Sequence, residues 1–98
     1  MECKPCYVYL VRCGDGSLYI GISRDIKARV DRHNAGRGAR YTQSRRPVRL
    51  VYYEWHATLR EARRREVELK KWKKLRKEQL VRGIVGEAVR RARRKRGR

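Results

Sequence analysis

The stretch CYVYLVRCGDGSLYIGIS, residues 6–23, sets the architecture. Residues 6–13 are β-branched and aromatic, which favours a strand. Gly14-Asp15-Gly16-Ser17 is turn chemistry. Leu18–Ser23 reads as a second strand, so the stretch predicts a hairpin. Leu18, Ile20 and Ile22 share one face of that strand; Tyr19 and Gly21 share the other. Tyr7 and Tyr9 share a face of the first strand. Gly21 removes a side chain beside Tyr19, which permits close backbone approach.

Outward from the hairpin, a helix is expected from about Asp25 to Ala35, capped by Ser23 or Asp25 and ended by Gly36. Residues 37–47 form a basic loop, long for a compact domain, and such loops are usually functional. Val48–Trp55 reads as a third strand, ending near His56. Thr58 and Glu61 make a capping box for a helix reaching about Trp72. Lys73–Val81 continues it or forms a further short helix. From Gly83 the chain turns Arg-rich, as a weakly helical tail would. The order β-β-α-β-α-α predicts an α+β fold: a small three-stranded antiparallel or mixed sheet flanked by helices. The expected division is one domain over residues 1–82 and a basic tail over 83–98.

The 98 residues hold 29 Lys and Arg against 10 Asp and Glu, a formal charge of +19. Residues 83–98 hold seven bases and one acid, +6; residues 1–82 hold 22 bases and nine acids, +13. The folded body is therefore itself strongly basic. Such a field favours a polyanionic partner: nucleic acid first, an anionic membrane surface second. No apolar run approaches the ~18 residues of a transmembrane helix, no secretory signal opens the chain, and no long basic amphipathic helix supports membrane docking. A cytoplasmic protein is expected. Cys3, Cys6 and Cys13 are too few for a structural zinc site, which wants four ligands; they read as reduced thiols.

The few acids say more than the many bases. On a helical wheel Glu66 falls inside the apolar stripe of Leu59, Ala62, Leu69 and Trp72, which must face the sheet. A carboxylate there needs a partner: a buried Arg, a hydrogen-bond network or a metal ion. An ordinary Glu–Arg pair is readily supplied by so Arg-rich a chain. Arg29 and His33 lie one turn apart beside the stripe of Ile26 and Val30, pointing toward the sheet edge. An Arg there can clamp a phosphate by two hydrogen bonds; a His can position water or pass a proton. Pairing of Arg29 with Asp25 or Asp31, and capping by His33, are the structural alternatives. One carboxylate, one inward Arg, one His and strand tyrosines in a basic domain fit metal-assisted phosphodiester hydrolysis.

At this point the sequence resembles the GIY-YIG nuclease superfamily, and within it the small stand-alone single-domain branch. Tyr19-Ile20-Gly21 is the second signature intact; Tyr7-Val8-Tyr9 stands in place of the first and keeps its last tyrosine. Arg29 and His33 match the helix arginine and the position one turn later. His33-Asn34-Ala35-Gly36, Gly38-Ala39-Arg40-Tyr41-Thr42 and Arg45-Arg46-Pro47-Val48 resemble the stand-alone branch, and Glu66, followed by Lys70 and Trp72, matches the metal-binding glutamate. The resemblance spans residues 6–82.

It implies a DNA endonuclease, acting in repair or on structured DNA. Glu66 would hold one Mg²⁺ or Mn²⁺, and Arg29 would stabilise the scissile phosphate. Tyr19, helped by Tyr9 or His33, would activate water, the base being one of these three. The products would be 5′-phosphate and 3′-hydroxyl ends. Asn34, Arg40, Tyr41, Arg45 and Arg46 are the expected nucleic-acid contacts, with DNA favoured over RNA. A protein partner would supply specificity, since a lone small domain has few groups left for base readout. The competing reading is a nucleic-acid-binding module that keeps the fold without catalysis.

Overall fold

In a computed structural model, residues 5–83 are described. Cys3 and the tail beyond Gly83 lie outside them. β1 (Cys6–Arg12) and β2 (Leu18–Ser23) pair antiparallel, with Tyr9 opposite Gly21 and Leu10 opposite Ile20. β1 also pairs antiparallel with β3 (Arg49–His56), so the sheet order is β2-β1-β3 and every pairing is antiparallel. The expected α+β class therefore holds, in its antiparallel form. A bulge between Leu10 and Val11 shifts the register against β3, placing Val11 opposite Leu50. A bulge of this kind leaves no mark on the alternation of residue types.

Helix α1 (Ile26–Asn34) starts at Asp25, whose carboxylate accepts from the Ala28 amide at 3.1 Å. Ser23 supports the same turn through both the amide and the carbonyl of Asp25. The basic loop contains one helical turn, α2 (Arg40–Gln43), too short to give a sequence periodicity. α3 (Leu59–Lys70) begins at Thr58, which accepts from the Glu61 amide at 3.1 Å. Glu61 reaches back to the Ala57 amide rather than to Thr58. α3 stops before Trp72, and α4 (Lys74–Arg82) is a separate helix. Arg12 of β1 ties α4 down with two bonds to Glu78, at 2.5 and 2.8 Å.

The sheet divides the core in two. On one face Cys6, Val8, Leu10 and Ile20 pack with Ala62 and Leu69 of α3 and Leu80 of α4. On the other, Tyr9, Val11, Cys13 and Val48 pack with Tyr19 and with Ile26 and Val30 of α1. Cys6 and Cys13 are both buried free thiols, one in each core, so they cannot share a metal. Among the described residues no helix is long and apolar enough to cross a membrane.

Candidate active site

Tyr9 is among the most deeply buried of the side chains singled out for chemistry, and His33 bonds to it. Tyr9 lies in the middle of β1 and is 1% exposed. Its neighbour across the ladder is Gly21, where a Cβ would collide with the Tyr9 phenol. Gly21 therefore makes the space into which the ring folds. Burial pushes the Tyr9 phenol up to about 12, against the charge and hydrogen bond of Arg29, with Tyr19 and Glu66 adding to the rise. Arg29, Tyr19 and Glu66 thus act electrostatically on Tyr9, and its hydroxyl lies 2.9 Å from Nε2 of His33.

His33 is 1% exposed, so it does not act as a surface cap. Its Nδ1 lies 2.8 Å from the hydroxyl of Thr42, itself fully buried. The Thr42 hydroxyl donates to the Ala39 carbonyl at 2.9 Å. Its proton being committed, Thr42 must accept from Nδ1–H. Nε2 is then the bare nitrogen and accepts from the Tyr9 hydroxyl. The chain of donors runs Tyr9 to His33 to Thr42 to Ala39. Burial, then the charges of Arg29 and Arg32, hold the imidazole below its usual pKa of 6.5 and hence neutral. Gly38 closes against the same ring, since a Cβ there would strike Nδ1. Neither Thr42 nor Gly38 is marked by periodicity; both lie in the loop, inside the Gly38–Thr42 stretch that resembles the stand-alone branch, and that resemblance is their sequence signal.

Tyr19 is half-buried, with its ring edge-on to His33 at 5.4 Å and stacked on Tyr41 at 5.8 Å. Arg45 covers Tyr41 at 3.9 Å and pairs with Asp15 at 3.1 Å. Tyr41 and Arg45 of the expected contact set therefore sit beside the catalytic candidates. Arg40 is exposed at the start of α2. Asn34 and Arg46 are spent on the loop itself. The Asn34 carboxamide clasps the Val48 backbone in both directions, at 2.9 and 2.7 Å. Arg46 donates to the carbonyls of Gln43 and Asn34.

Glu66 is flanked on its helix face by buried Ala62 and Leu69, as the wheel predicts, but its side chain keeps 21% exposure. Its partner is Lys70, one turn on at 3.1 Å, rather than a buried arginine. The buried Glu–Arg pair of this fold is a different one, Glu54 with Arg65. Among the described residues no three His, Cys, Asp or Glu side chains gather as a metal cage. A single partly exposed carboxylate fits a hard cation such as Mg²⁺, which keeps its waters and takes one or two protein oxygens. It does not fit zinc.

A model of the GIY-YIG catalytic domain matches residues 5–79. A UPF0213 protein of Staphylococcus aureus is 51% identical over 75 residues, covering 76% of this chain and 92% of its own. The solution structure of the UPF0213 protein BH0048 from Bacillus halodurans superposes with a TM-score of 0.52 at 43% identity, covering 79% of this chain and 82% of that one. The protein EF2693 from E. faecalis gives 0.58 at 36% identity, over 89% and 94%.

Proposed function

This chain belongs to the GIY-YIG catalytic-domain family, and from that premise we propose that it is a divalent-metal-dependent endonuclease that hydrolyses phosphodiester bonds of DNA. The observation that carries the reading is the buried Tyr9–His33 hydrogen bond with Tyr19 edge-on to the same imidazole, and Arg29 and Glu66 near enough to act electrostatically on the Tyr9 phenol. A domain that only bound nucleic acid would gain nothing from a carboxylate at that point, where it repels phosphate.

Arg29 binds the scissile phosphate and offsets the charge that grows in the transition state. Tyr19, the more exposed tyrosine, orients the attacking water. With its phenol pushed up to about 12, Tyr9 is not a phenolate at neutral pH. It acts instead as a conduit: its oxygen accepts the proton of the water while its own proton moves to bare Nε2 of His33. Thr42 holds the tautomer that makes this possible. The water oxygen bonds to phosphorus as the bond to the 3′-oxygen breaks, and the leaving oxygen takes a proton from solvent, leaving 5′-phosphate and 3′-hydroxyl ends. Glu66 would hold one Mg²⁺ or Mn²⁺, which supplies charge neutralisation at the leaving oxygen.

The nuclease domain is residues 1–82, and the tail of 83–98 adds sequence-independent phosphate contacts. Tyr41, Arg40 and Arg45 contact the strand beside the site, with Asn34 and Arg46 shaping their loop. The role is in repair or on structured DNA in the cytoplasm, with specificity lent by a partner protein. A panel of 5′-labelled duplex, flap, branched and single-stranded DNA and RNA, with Mg²⁺ or Mn²⁺, tests the reading. Cleavage of at least one DNA is expected. No cleavage of any substrate would leave a binding module.

A further inference from the structure

Beyond the tyrosines of the site, the same sheet face carries an aromatic groove that the mechanism does not use. It runs between α1 and the sheet, with a volume of about 560 Å³, and is lined by Tyr7, Leu50, Tyr53 and Val30, with Arg24 and Lys27 at its rim. That volume lies within the range of small-ligand sites. The bulge that leaves Val51 of β3 unpaired builds it. Leu50 and Tyr53 are three residues apart and would face opposite sides of a regular strand. The register shift sets Leu50 opposite Val11 and Tyr53 opposite Tyr9, on one face. Tyr53 is 49% exposed and Leu50 37%, with Tyr7 edge-on to Tyr53 at 5.8 Å.

We propose that this groove is a subsite for one unpaired nucleobase of the bound strand, stacked on Tyr53 with its flanking phosphates on Arg24 and Lys27. The proposal rests on the nucleic-acid reading of the adjacent site. Two observations select this occupant. The groove lies beside the site along β1, since Tyr7 stands two residues from Tyr9 on the same strand face, about 7 Å away. Its rim offers cations to phosphates. Arg24 makes no ion pair among the described residues. Lys27 shares only a solvent-exposed pair with Asp31, of a kind worth little. Of the two acids that line the groove, Asp25 is occupied in capping α1 and Asp31 in the pair with Lys27. Stacking on tyrosine accepts any base, so the subsite selects an unpaired nucleotide next to the scissile phosphate rather than a sequence.

The test uses the full chain carrying Glu66→Gln, to prevent cleavage, and single-stranded DNA oligonucleotides with 2-aminopurine walked along the strand. Fluorescence should be quenched at one position. Adding Tyr53→Ala should abolish that quenching and weaken binding about five- to a hundredfold, with the salt dependence unchanged because tyrosine neutralises no phosphate. Tyr53→Trp should restore both. Equal quenching and affinity in Tyr53→Ala would overturn the subsite even if the parent protein cleaves DNA. Loss of quenching in a protein that cleaves nothing would uphold the subsite and remove the nuclease reading. Unchanged DNA binding in Tyr53→Ala, with the groove instead protected by another protein, would also overturn it.

Discussion

Two buried polar clusters lie on opposite faces of the sheet, and they are built in opposite ways. Under α3, Glu54 is 3% exposed and both its carboxylate oxygens are answered by donors, the charged Arg65 among them. Arg65 donates to both its oxygens at 2.9–3.0 Å, Tyr52 donates at 2.6 Å, and His56 at 2.9 Å. Burial pushes the Glu54 carboxyl up, but the hydrogen bonds of Arg65, Tyr52 and His56 together pull it below the usual 4.5. Arg65 is in turn held above its usual value. Under α1, by contrast, Tyr9, His33 and Thr42 form a neutral chain whose one direction of donation ends on a backbone carbonyl. The ionic cluster has no capacity left for a new partner and fastens α3 to β3. The neutral chain holds an acceptor that can gain a proton and return it. Burial alone does not distinguish structure from chemistry; the state of charge and the spare capacity do.

Removing one partner of the ionic cluster gives the largest expected effect. Arg65→Ala strands a buried carboxylate and should cost about 3–5 kcal/mol, read from urea unfolding. Replacing both partners, as Glu54→Gln with Arg65→Met, should recover most of that loss. Cleavage per folded molecule should survive in the double variant. A double variant as unstable as the single one would break the contrast.

The neutral chain should behave in the reverse sense. His33→Gln should lower the cleavage rate about a hundredfold or more while the protein stays folded by circular dichroism. A stability loss with an unchanged rate would move His33 into the structural class. Thr42→Val is milder. It leaves Nδ1–H unanswered and frees the wrong tautomer, for about a tenfold loss of rate, and Thr42→Ser should restore it.

The smallest effect separates the two clusters by pH. The folded pKa of His33 is below 6.5, so the unfolded chain takes up its proton first as pH falls. That contribution is full above 6.5 and erodes from there toward the lower folded value. Glu54, also lowered, contributes fully above 4.5 and loses its share only as pH falls through its folded value. Unfolding free energy should therefore fall in two stages on acidification. His33→Gln should remove the first stage alone; its persistence would contradict the neutral, buried imidazole.

Much of this was readable in the chain because local chemistry declared it. The turn at Gly14–Ser17, the two faces of β2 and the cap at Thr58 follow from residue types at short range. Glu66 stood out because a helical stripe has a period that one carboxylate interrupts. The Glu54–Arg65 pair did not, because alternation in a strand tolerates a charge on either face and its partner is 11 residues away. Thr42 and Gly38 answer to His33 only through the folded loop. The groove at Tyr53 depends on a bulge that sequence alternation does not reveal.

On the proposed reading, the Glu66 carboxylate serves catalysis and not binding. The direct measurement compares the wild-type chain with Glu66→Gln, for cleavage and for affinity, on a labelled DNA that the wild type cuts with Mg²⁺. Cleavage should be lost in Glu66→Gln while affinity is kept or strengthened, since a phosphate-repelling charge is gone. Cleavage at the wild-type rate by Glu66→Gln, with Mg²⁺ still required, would contradict it.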